Sequence, residues 1–265
     1  MDLGIEGDAA LVAASSSGLG RASAAALAAE GVDVALNGRD ADRLDEAVEA
    51  VRAVAADGAR VVGHVGDLTD PDVPAALVEA TVDAFGGLNH LVTNAGGPPG
   101  GPFLDTTDEQ WYDAFDLLVM SAVRLIREAA PYLRAEGGGS VVTIASLSVK
   151  EAVDDLVLSN AVRASVVGLE KTLSRELAPE VRVNAILPGA HETDRIESLL
   201  EDAVERGAYD SYEAGYEDWA GDVPVGHVGD PGRFGRLVAV LCSDVARFVN
   251  GTTLVVDGGA GRATL

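Results

Sequence analysis

Short apolar runs alternate with longer amphipathic stretches along almost the whole chain. Most of the short runs have no polar face, which is typical of strands in a parallel sheet that helices cover on both sides. We predict strands at residues 9–14, 32–36, 61–65, 88–93, 140–145, 181–187 and 253–256. The longer stretches predict helices at residues 19–30, 41–56, 71–85, 109–136, 156–178 and 231–241.

This alternation predicts a single-domain α/β protein with a doubly wound, seven-stranded parallel sheet and helices on both faces, because right-handed crossovers leave few other topologies. Residues 192–228 interrupt the alternation with two short helical runs and no strand. They also carry a group of aromatic side chains, namely Tyr209, Tyr212, Tyr216 and Trp219. An insertion after the sixth strand lies where ligands bind, so we predict a substrate lid. Packing between subunits is the alternative.

Composition and charge narrow the possible partners. The 265 residues have a formal net charge of −24, which argues against nucleic acids and anionic membranes, because both need a basic surface. Only two basic residues are lysines, Lys150 and Lys171. An acidic surface poor in lysine predicts a cytoplasmic protein of a halophile, where salt screens self-repulsion. An acidic mesophile protein from a GC-rich genome is the alternative. One cysteine, Cys242, and four scattered histidines predict neither a disulfide nor a metal site.

A serine- and glycine-rich turn follows the first predicted strand and leads directly into a helix. The turn residues that we expect to bind a cofactor are Ser15, Ser17, Gly18, Leu19 and Gly20. Glycines let the backbone approach a pyrophosphate, and the amino terminus of a helix stabilises its charge. A plain strand–helix turn is the alternative.

Residues that follow the later strands would face the same site, since the carboxyl ends of parallel strands share one edge. Asp67 is placed to accept a hydrogen bond from an adenine amino group. The full set is Asp67 and Leu68 after the third strand, Asn94, Ala95 and Gly96 after the fourth, and Pro188, Gly189, His191 and Thr193 after the sixth.

These motifs make the chain similar to the short-chain dehydrogenases/reductases over nearly its full length, and most similar to 3-oxoacyl carrier-protein reductase-like members. The resemblance implies a Rossmann fold and a nicotinamide dinucleotide cofactor. The family motif Thr-Gly-x-x-x-Gly-Ile/Leu-Gly corresponds to residues 13–20, where Ala13 and Ala14 replace Thr-Gly. The resemblance assigns the nicotinamide carboxamide to the loop of Pro188 and Gly189, with Thr193 at the hydroxyl position.

The residues after the second strand favour NADP over NAD. NAD sites place an acid here for the ribose hydroxyls. This chain has the uncharged Asn37 and, two residues later, Arg39, which can bind a 2′-phosphate with two hydrogen bonds. Pairing of Arg39 with Asp40 or Asp42 would leave NAD acceptable. We therefore predict NADP, with NAD as the alternative.

The catalytic pattern of the family is only partly present. The resemblance assigns the substrate-orienting serine to Ser146. It places Ser159 where the proton-donating tyrosine is expected, Arg163 where the lysine is expected, and Leu118 where a helix asparagine is expected. An aliphatic hydroxyl is a poor proton donor near neutral pH. Arg163 can anchor ribose hydroxyls but does not exchange protons.

Other side chains are candidates for the missing acid. The ammonium of Lys150, four residues after Ser146, could donate a proton or orient the substrate if desolvation or a nearby cation such as Arg163 lowered its pKa. A surface lysine paired with an acid within residues 151–154 is the alternative. Tyr212 or Tyr216 of the predicted lid and His191 near the nicotinamide are further candidates.

Two classes of function follow. The first is an NADP-dependent oxidoreductase that transfers a hydride between nicotinamide and a small carbonyl compound or secondary alcohol, such as a 3-oxoacyl compound or a sugar. The second is a catalytically silent dinucleotide-binding protein that acts as a sensor or partner subunit. The resemblance also implies a homo-oligomer, a dimer or tetramer, packed through the helices predicted at 109–136 and 156–178.

Overall fold

A seven-stranded parallel sheet runs through the middle of the computed structural model, which describes residues 2–135 and 137–264. The strand order is β3-β2-β1-β4-β5-β6-β7, and every neighbouring pair is parallel. The strands are β1 (Ala9–Val12), β2 (Asp33–Gly38), β3 (Val61–Val65), β4 (His90–Thr93), β5 (Gly139–Ile144), β6 (Val181–Pro188) and β7 (Thr253–Val256). The predicted α/β Rossmann class is confirmed.

Helices cover both faces of the sheet. The helices are α1 (Gly18–Ala29), α2 (Ala41–Arg52), α3 (Val73–Phe85), α4 (Asp108–Phe115), α5 (Ser121–Leu133), α6 (Val157–Glu176), α7 (Asp194–Glu205), α8 (Tyr212–Asp222) and α9 (Pro231–Cys242). The single long helix predicted at 109–136 is instead α4 and α5, joined by a π-helical turn over Asp116–Met120. Its predicted end at residue 136 lies outside the described residues.

The period-two alternation of β1 divides its side chains between two apolar cores. Ala10 and Val12 pack with α1, α2 and α9 on one face, and Leu11 packs with α3 and α5 on the other. Because both faces are covered, the strand is apolar throughout, as its sequence indicated.

The segment at 192–228 forms the helices α7 and α8 and no strand, in agreement with its sequence. A β-bridge between His191 and Gly229 brings the two ends of the segment together. The segment therefore leaves and rejoins the sheet edge at one place, beside the carboxyl end of β6.

No helix among the described residues is long and apolar enough to cross a membrane.

Candidate active site

The strand order reverses between β1 and β4, and the loops that leave these two strands form a crevice. Asn94 Nδ2 donates a hydrogen bond to Ala14 O at 3.0 Å, which joins the two loops. In open α/β sheets ligands bind in such a crevice. The predicted cofactor residues after β1 and β4 therefore meet here.

The turn from Ser15 to Gly20 leaves the first turn of α1 open to an anion. The N-cap residue Ser17 makes no side-chain capping bond, and no acid lies in the first helical turn. Gly18 has a φ of +54°, in the left-handed region that favours glycine. A Cβ at Gly20 would lie 2.8 Å from the side-chain nitrogen of Asn94, so only glycine fits. These features suit a pyrophosphate held by backbone N–H groups.

Two residues of the predicted set shape this turn from inside. Ser15 is buried, and its Oγ donates to Val12 O at 2.7 Å. Leu19 packs on the core beneath α1. The hydroxyl of Ser15 is therefore used inside the protein, where it holds the backbone that a ligand would contact, and cofactor binding by Ser15 stays a prediction.

Asn37 also differs from its predicted role beside the adenosine ribose. The side chain is 1% exposed. Its Oδ1 accepts a hydrogen bond from the backbone N–H of Ala14, and its Nδ2 donates to the carbonyls of His64 and Gly66. The amide is therefore occupied by the backbone, and Asn37 joins the phosphate turn to the end of β3.

Ala14 occupies a strained backbone conformation, with a φ of +45°. Non-glycine residues rarely adopt this region, because the Cβ crowds the following carbonyl. The chain needs this conformation because Ala14 bonds through its N–H to Asn37 and through its carbonyl to Asn94. Glycine would adopt it freely, which explains why the family motif places glycine here.

Arg39 lies at the outer end of the crevice and pairs with a residue that the sequence did not suggest. Its guanidinium is 3.6 Å from Asp67 Oδ2, and the side chains are 74% and 42% exposed. Asp40 instead caps α2 by accepting from the N–H of Arg43. A hydrogen bond from the backbone of Thr69 lowers the pKa of Asp67, and Arg39 lowers it further. The cation and the ionised acid are therefore adjacent and both accessible.

The neighbouring Leu68 is buried in the core, so it is placed to support this end of the crevice through packing.

The loop after β6 closes the opposite side of the crevice. Gly189 N–H bonds to Val256 O at 2.9 Å, directly beyond Pro188, the last residue of β6. The methyl carbon of Thr193 lies 3.5 Å from the position that a Cβ would take at Gly18. Thr193 therefore faces the phosphate turn across a short gap.

His191 packs inside this loop and does not reach the crevice as an acid. It is 5% exposed, its Nδ1 lies 3.1 Å from Gly189 O, and its ring contacts the edge of Phe234 with centroids 5.1 Å apart. Burial lowers its pKa, which favours the neutral ring. We therefore correct its candidacy as the proton donor.

A cluster of serine hydroxyls and one guanidinium forms the candidate catalytic end of the crevice. Arg163 Nε donates to Ser159 Oγ at 3.2 Å, and Ser159 Oγ is 3.5 Å from Ser148 Oγ. Ser146 Oγ accepts from the N–H of Ser148 at 3.1 Å and begins a 3-10 turn over Leu147–Val149. The structure thus brings together the predicted Ser146, Ser159 and Arg163. Ser148 was not predicted from the sequence, where the Ser-x-Ser spacing was its only signal.

Arg163 also joins α6 to the ends of two strands. It donates to Ala145 O at 3.2 Å and to Gly96 O at 3.4 Å, while Ala95 packs against the apolar cluster on α4 and α6. Leu118, at the asparagine position, lines a small cavity beside Arg163. The guanidinium thus occupies the place where the resemblance puts a lysine.

The remaining candidates for the proton donor, Lys150, Tyr212 and Tyr216, do not lie in surroundings that favour release of a proton. Lys150 is exposed, so burial does not desolvate its ammonium, and its role stays a prediction. Tyr216 donates from its hydroxyl to Glu192 Oε1 at 2.5 Å, which raises its pKa to about 12. Tyr212 stacks on Tyr216, and partial burial and nearby carboxylates raise its pKa. Phenols with raised pKa values are poorer proton donors.

The segment at 192–228 is tied to α2 by a contact that the sequence could not show. Arg43 of α2 donates to Asp194 Oδ2, at the start of α7, at 2.7 Å. The residues are 151 positions apart. The pair places the first turn of α7 beside the first turn of α2.

A phosphate-binding turn at the reversal point of a parallel sheet, with a polar cluster at the adjoining strand ends, defines a dinucleotide-binding α/β protein. A family model described as enoyl-(acyl carrier protein) reductase matches residues 13–261. A putative ketoacyl reductase of the monensin polyketide synthase from Streptomyces virginiae is 34% identical over 256 residues, which cover 95% of this chain and 96% of the relative. The chain belongs to the short-chain dehydrogenase/reductase family of oxidoreductases.

Two solved structures are similar over almost the whole chain. L-sorbose reductase from Gluconobacter frateurii, complexed with NADPH and L-sorbose, is 33% identical with a TM-score of 0.92, covering 99% of this chain and 100% of that one. A short-chain oxidoreductase from Pseudomonas aeruginosa PAO1, described as containing an atypical catalytic center, is 30% identical with a TM-score of 0.88, covering 98% and 99%. Together with the family match, they support a nicotinamide dinucleotide as the cofactor.

Proposed function

We propose that the protein is an NADP-dependent oxidoreductase that acts on a small carbonyl compound or secondary alcohol through an atypical catalytic centre. The observation that carries the proposal is the cluster of Ser146, Ser159 and Arg163, which lies at the same sheet edge as the phosphate turn. The bound cofactor would supply or accept the hydride. The residues of the chain bind both molecules and stabilise the charge that develops on the substrate oxygen.

The chain offers a partner for each part of NADP. The N–H groups of Ser17, Gly18, Leu19 and Gly20 would hold the pyrophosphate, and Arg39 the 2′-phosphate, with Asp67 accepting from adenine. Asn94, Ala95 and Gly96 would line the central part, and Pro188, Gly189 and Thr193 the nicotinamide end. The exposed guanidinium of Arg39, together with the uncharged Asn37 at the position where NAD sites place an acid, favours NADP, with NAD as the alternative.

The cluster can orient and polarise a carbonyl group without an acidic side chain. Arg163 donates to Ser159 Oγ, which leaves the hydroxyl proton of Ser159 available to a substrate oxygen. Ser146 and Ser148 provide further hydroxyl groups beside it. A fixed cation and preorganised donors stabilise negative charge on that oxygen. We infer that the proton comes from water through the serines, and that turnover is slow.

The lid favours a polyhydroxylated ketone as substrate. Its tyrosine hydroxyls already bond to carboxylates, Tyr209 to Asp218 at 2.8 Å and Tyr216 to Glu192. Such groups suit sugar hydroxyls, whereas their negative charge repels anionic acyl carriers. The likeness to a reductase crystallised with L-sorbose supports this substrate class.

A catalytically silent nucleotide sensor or partner subunit is the second candidate. The absence of a tyrosine–lysine pair at positions 159 and 163 favours it.

Exposed apolar residues on and before α4, namely Phe103, Leu104 and Tyr112, support a homo-oligomer packed through α4 and α6. The acidic surface supports a halophile's cytoplasm as the location.

Turnover with NADPH separates the two candidates. The purified protein, in molar salt, is mixed with NADPH and L-sorbose, other ketoses, small ketones or a 3-oxoacyl thioester, and loss of NADPH absorbance is followed. We expect a ketose to cause oxidation of NADPH by the wild type and not by Arg163→Ala. The control Arg175→Ala changes an exposed arginine of the same helix and should keep the activity. Binding of NADPH with no oxidation by any compound would favour the silent protein.

A further inference from the structure

A buried acid stands behind the serine–arginine cluster. Glu170 of α6 is 3% exposed and lies two helical turns beyond Arg163, on the sheet-facing side of the helix. Its Oε1 accepts a hydrogen bond from Thr143 Oγ1 at 2.6 Å, and no described residue bonds to its Oε2. Burial raises the pKa of Glu170 to about 8, although this hydrogen bond lowers it. The carboxyl group is therefore mostly protonated at neutral pH.

Hydroxyl groups connect Glu170 to the cavity beside the cluster. Thr143 Oγ1 lies 2.6 Å from Thr93 Oγ1, and both side chains are buried. Both threonines line this cavity of about 20 Å³, together with Asn94 and Arg163, which gives room for about one water molecule. Through Thr143, Glu170 therefore holds the wall of this cavity that faces Asn94 and Arg163.

No charged group among the described residues is placed to compensate an ionised Glu170. Among the described elements that pack on α6, Arg182 of β6 donates to carbonyls at the end of α9, and Asp116 is paired with an arginine of α5. The ionisable side chains of α4 are exposed, and the 3-10 turn at 147–149 has none. Lys171 donates to a backbone carbonyl. A carboxylate at this position would be an unpaired charge in the core, which is costly.

We propose that Glu170 is a positioning residue of this site that works only as a neutral acid. When protonated, it anchors Thr143 and through it Thr93, so the wall facing Asn94 and Arg163 keeps its shape. When ionised, it requires water or a rearrangement of the threonines, and the nucleotide-binding form is lost. The inference rests on the proposed function, because it concerns the same site.

The pH dependence of NADPH affinity tests the proposal. Fluorescence titrations of the wild type and Glu170→Gln are made at pH 7 and pH 9 in molar salt. With a pKa of about 8, roughly one wild-type molecule in eleven keeps the neutral acid at pH 9, so the apparent Kd rises about tenfold. In Glu170→Gln it changes by less than about twofold. The control Glu176→Gln removes an exposed acid of the same helix and should behave as the wild type.

Thermal stability gives a readout that needs no ligand. The pKa of this acid is raised on folding, so the folded state keeps its proton more tightly than the unfolded state. Stability is therefore full below the unfolded pKa of 4.5 and falls as the pH rises towards about 8. The Tm of the wild type should fall by several degrees between pH 5 and pH 9, relative to that of Glu170→Gln.

Spectroscopy of the wild type covers the case in which the variant does not fold. Isotope-edited infrared spectra should show the carbonyl band of one protonated glutamic acid at pH 7 and its loss by pH 9. Absence of that band at pH 7, or the same pH dependence of Kd and Tm in the wild type and Glu170→Gln, would overturn the inference. NADPH binding without turnover would contradict only the proposed activity, because neither affinity nor melting depends on the chemical step.

Discussion

Replacing the strained alanine of the phosphate turn with glycine should stabilise the protein. Ala14 has a φ of +45°, a conformation that costs a non-glycine residue about 1–2 kcal/mol. Glycine adopts it without that cost. The Ala14→Gly substitution therefore relieves strain at a position whose N–H and carbonyl both make hydrogen bonds that hold the turn.

The net effect is smaller than the strain, because two terms oppose it. The added freedom of glycine in the unfolded chain costs about 0.4–1 kcal/mol, and loss of a partly buried methyl group costs about 0.4 kcal/mol. We expect Ala14→Gly to raise the free energy of unfolding by about 0.5 kcal/mol. At the neighbouring Ala13, which is fully buried and has no positive φ, the same change should lower it by about 1.5 kcal/mol.

Urea unfolding followed by circular dichroism, in high salt and with all three proteins side by side, measures these differences. The informative quantity is the gap of about 2 kcal/mol between the two glycine variants, since errors of extrapolation largely cancel in it. Equal destabilisation by Ala14→Gly and Ala13→Gly would show that Ala14 carries no left-handed strain for glycine to relieve.

Two further predictions concern the cofactor and the chemistry. Arg39→Asp should weaken NADPH binding at least tenfold and affect NADH less, because it removes the exposed cation expected to bind the 2′-phosphate; equal losses for both nucleotides in fluorescence titrations would argue against that role. The double change Ser159→Tyr and Arg163→Lys should raise kcat with a ketose about 10²-fold or more, since a phenol beside an ammonium can donate the proton. A steady-state assay that shows no gain, in a variant that still binds NADPH, would show that proton donation does not limit turnover.

Local patterns were sufficient to predict the fold. The central strands are buried on both faces because helices cover both, so their sequence alone indicated a parallel sheet. The turn from Ser15 to Gly20 was also recognisable, because its glycines are required by local geometry at Gly18 and Gly20.

Contacts between distant parts of the chain could not be predicted in the same way. Asn37 looked like a ligand-facing residue, but the register of β2 against β3 turns its amide towards backbone carbonyls. The pairing of Arg39 with Asp67 depends on how two strand ends align. Glu170 fits an ordinary helix pattern and becomes unusual only because the sheet buries it. These roles depend on how the helices and strands pack together, which the spacing of residues within one helix or strand does not show.

Nucleotide binding is best tested by a calorimetric titration of the wild-type protein with NADPH and with NADH at high ionic strength. We expect NADPH to bind at one site per chain, more tightly than NADH, because the open helix terminus and the exposed arginine both favour its phosphates. Failure of both nucleotides to bind the folded protein would contradict the enzyme and the sensor proposals together.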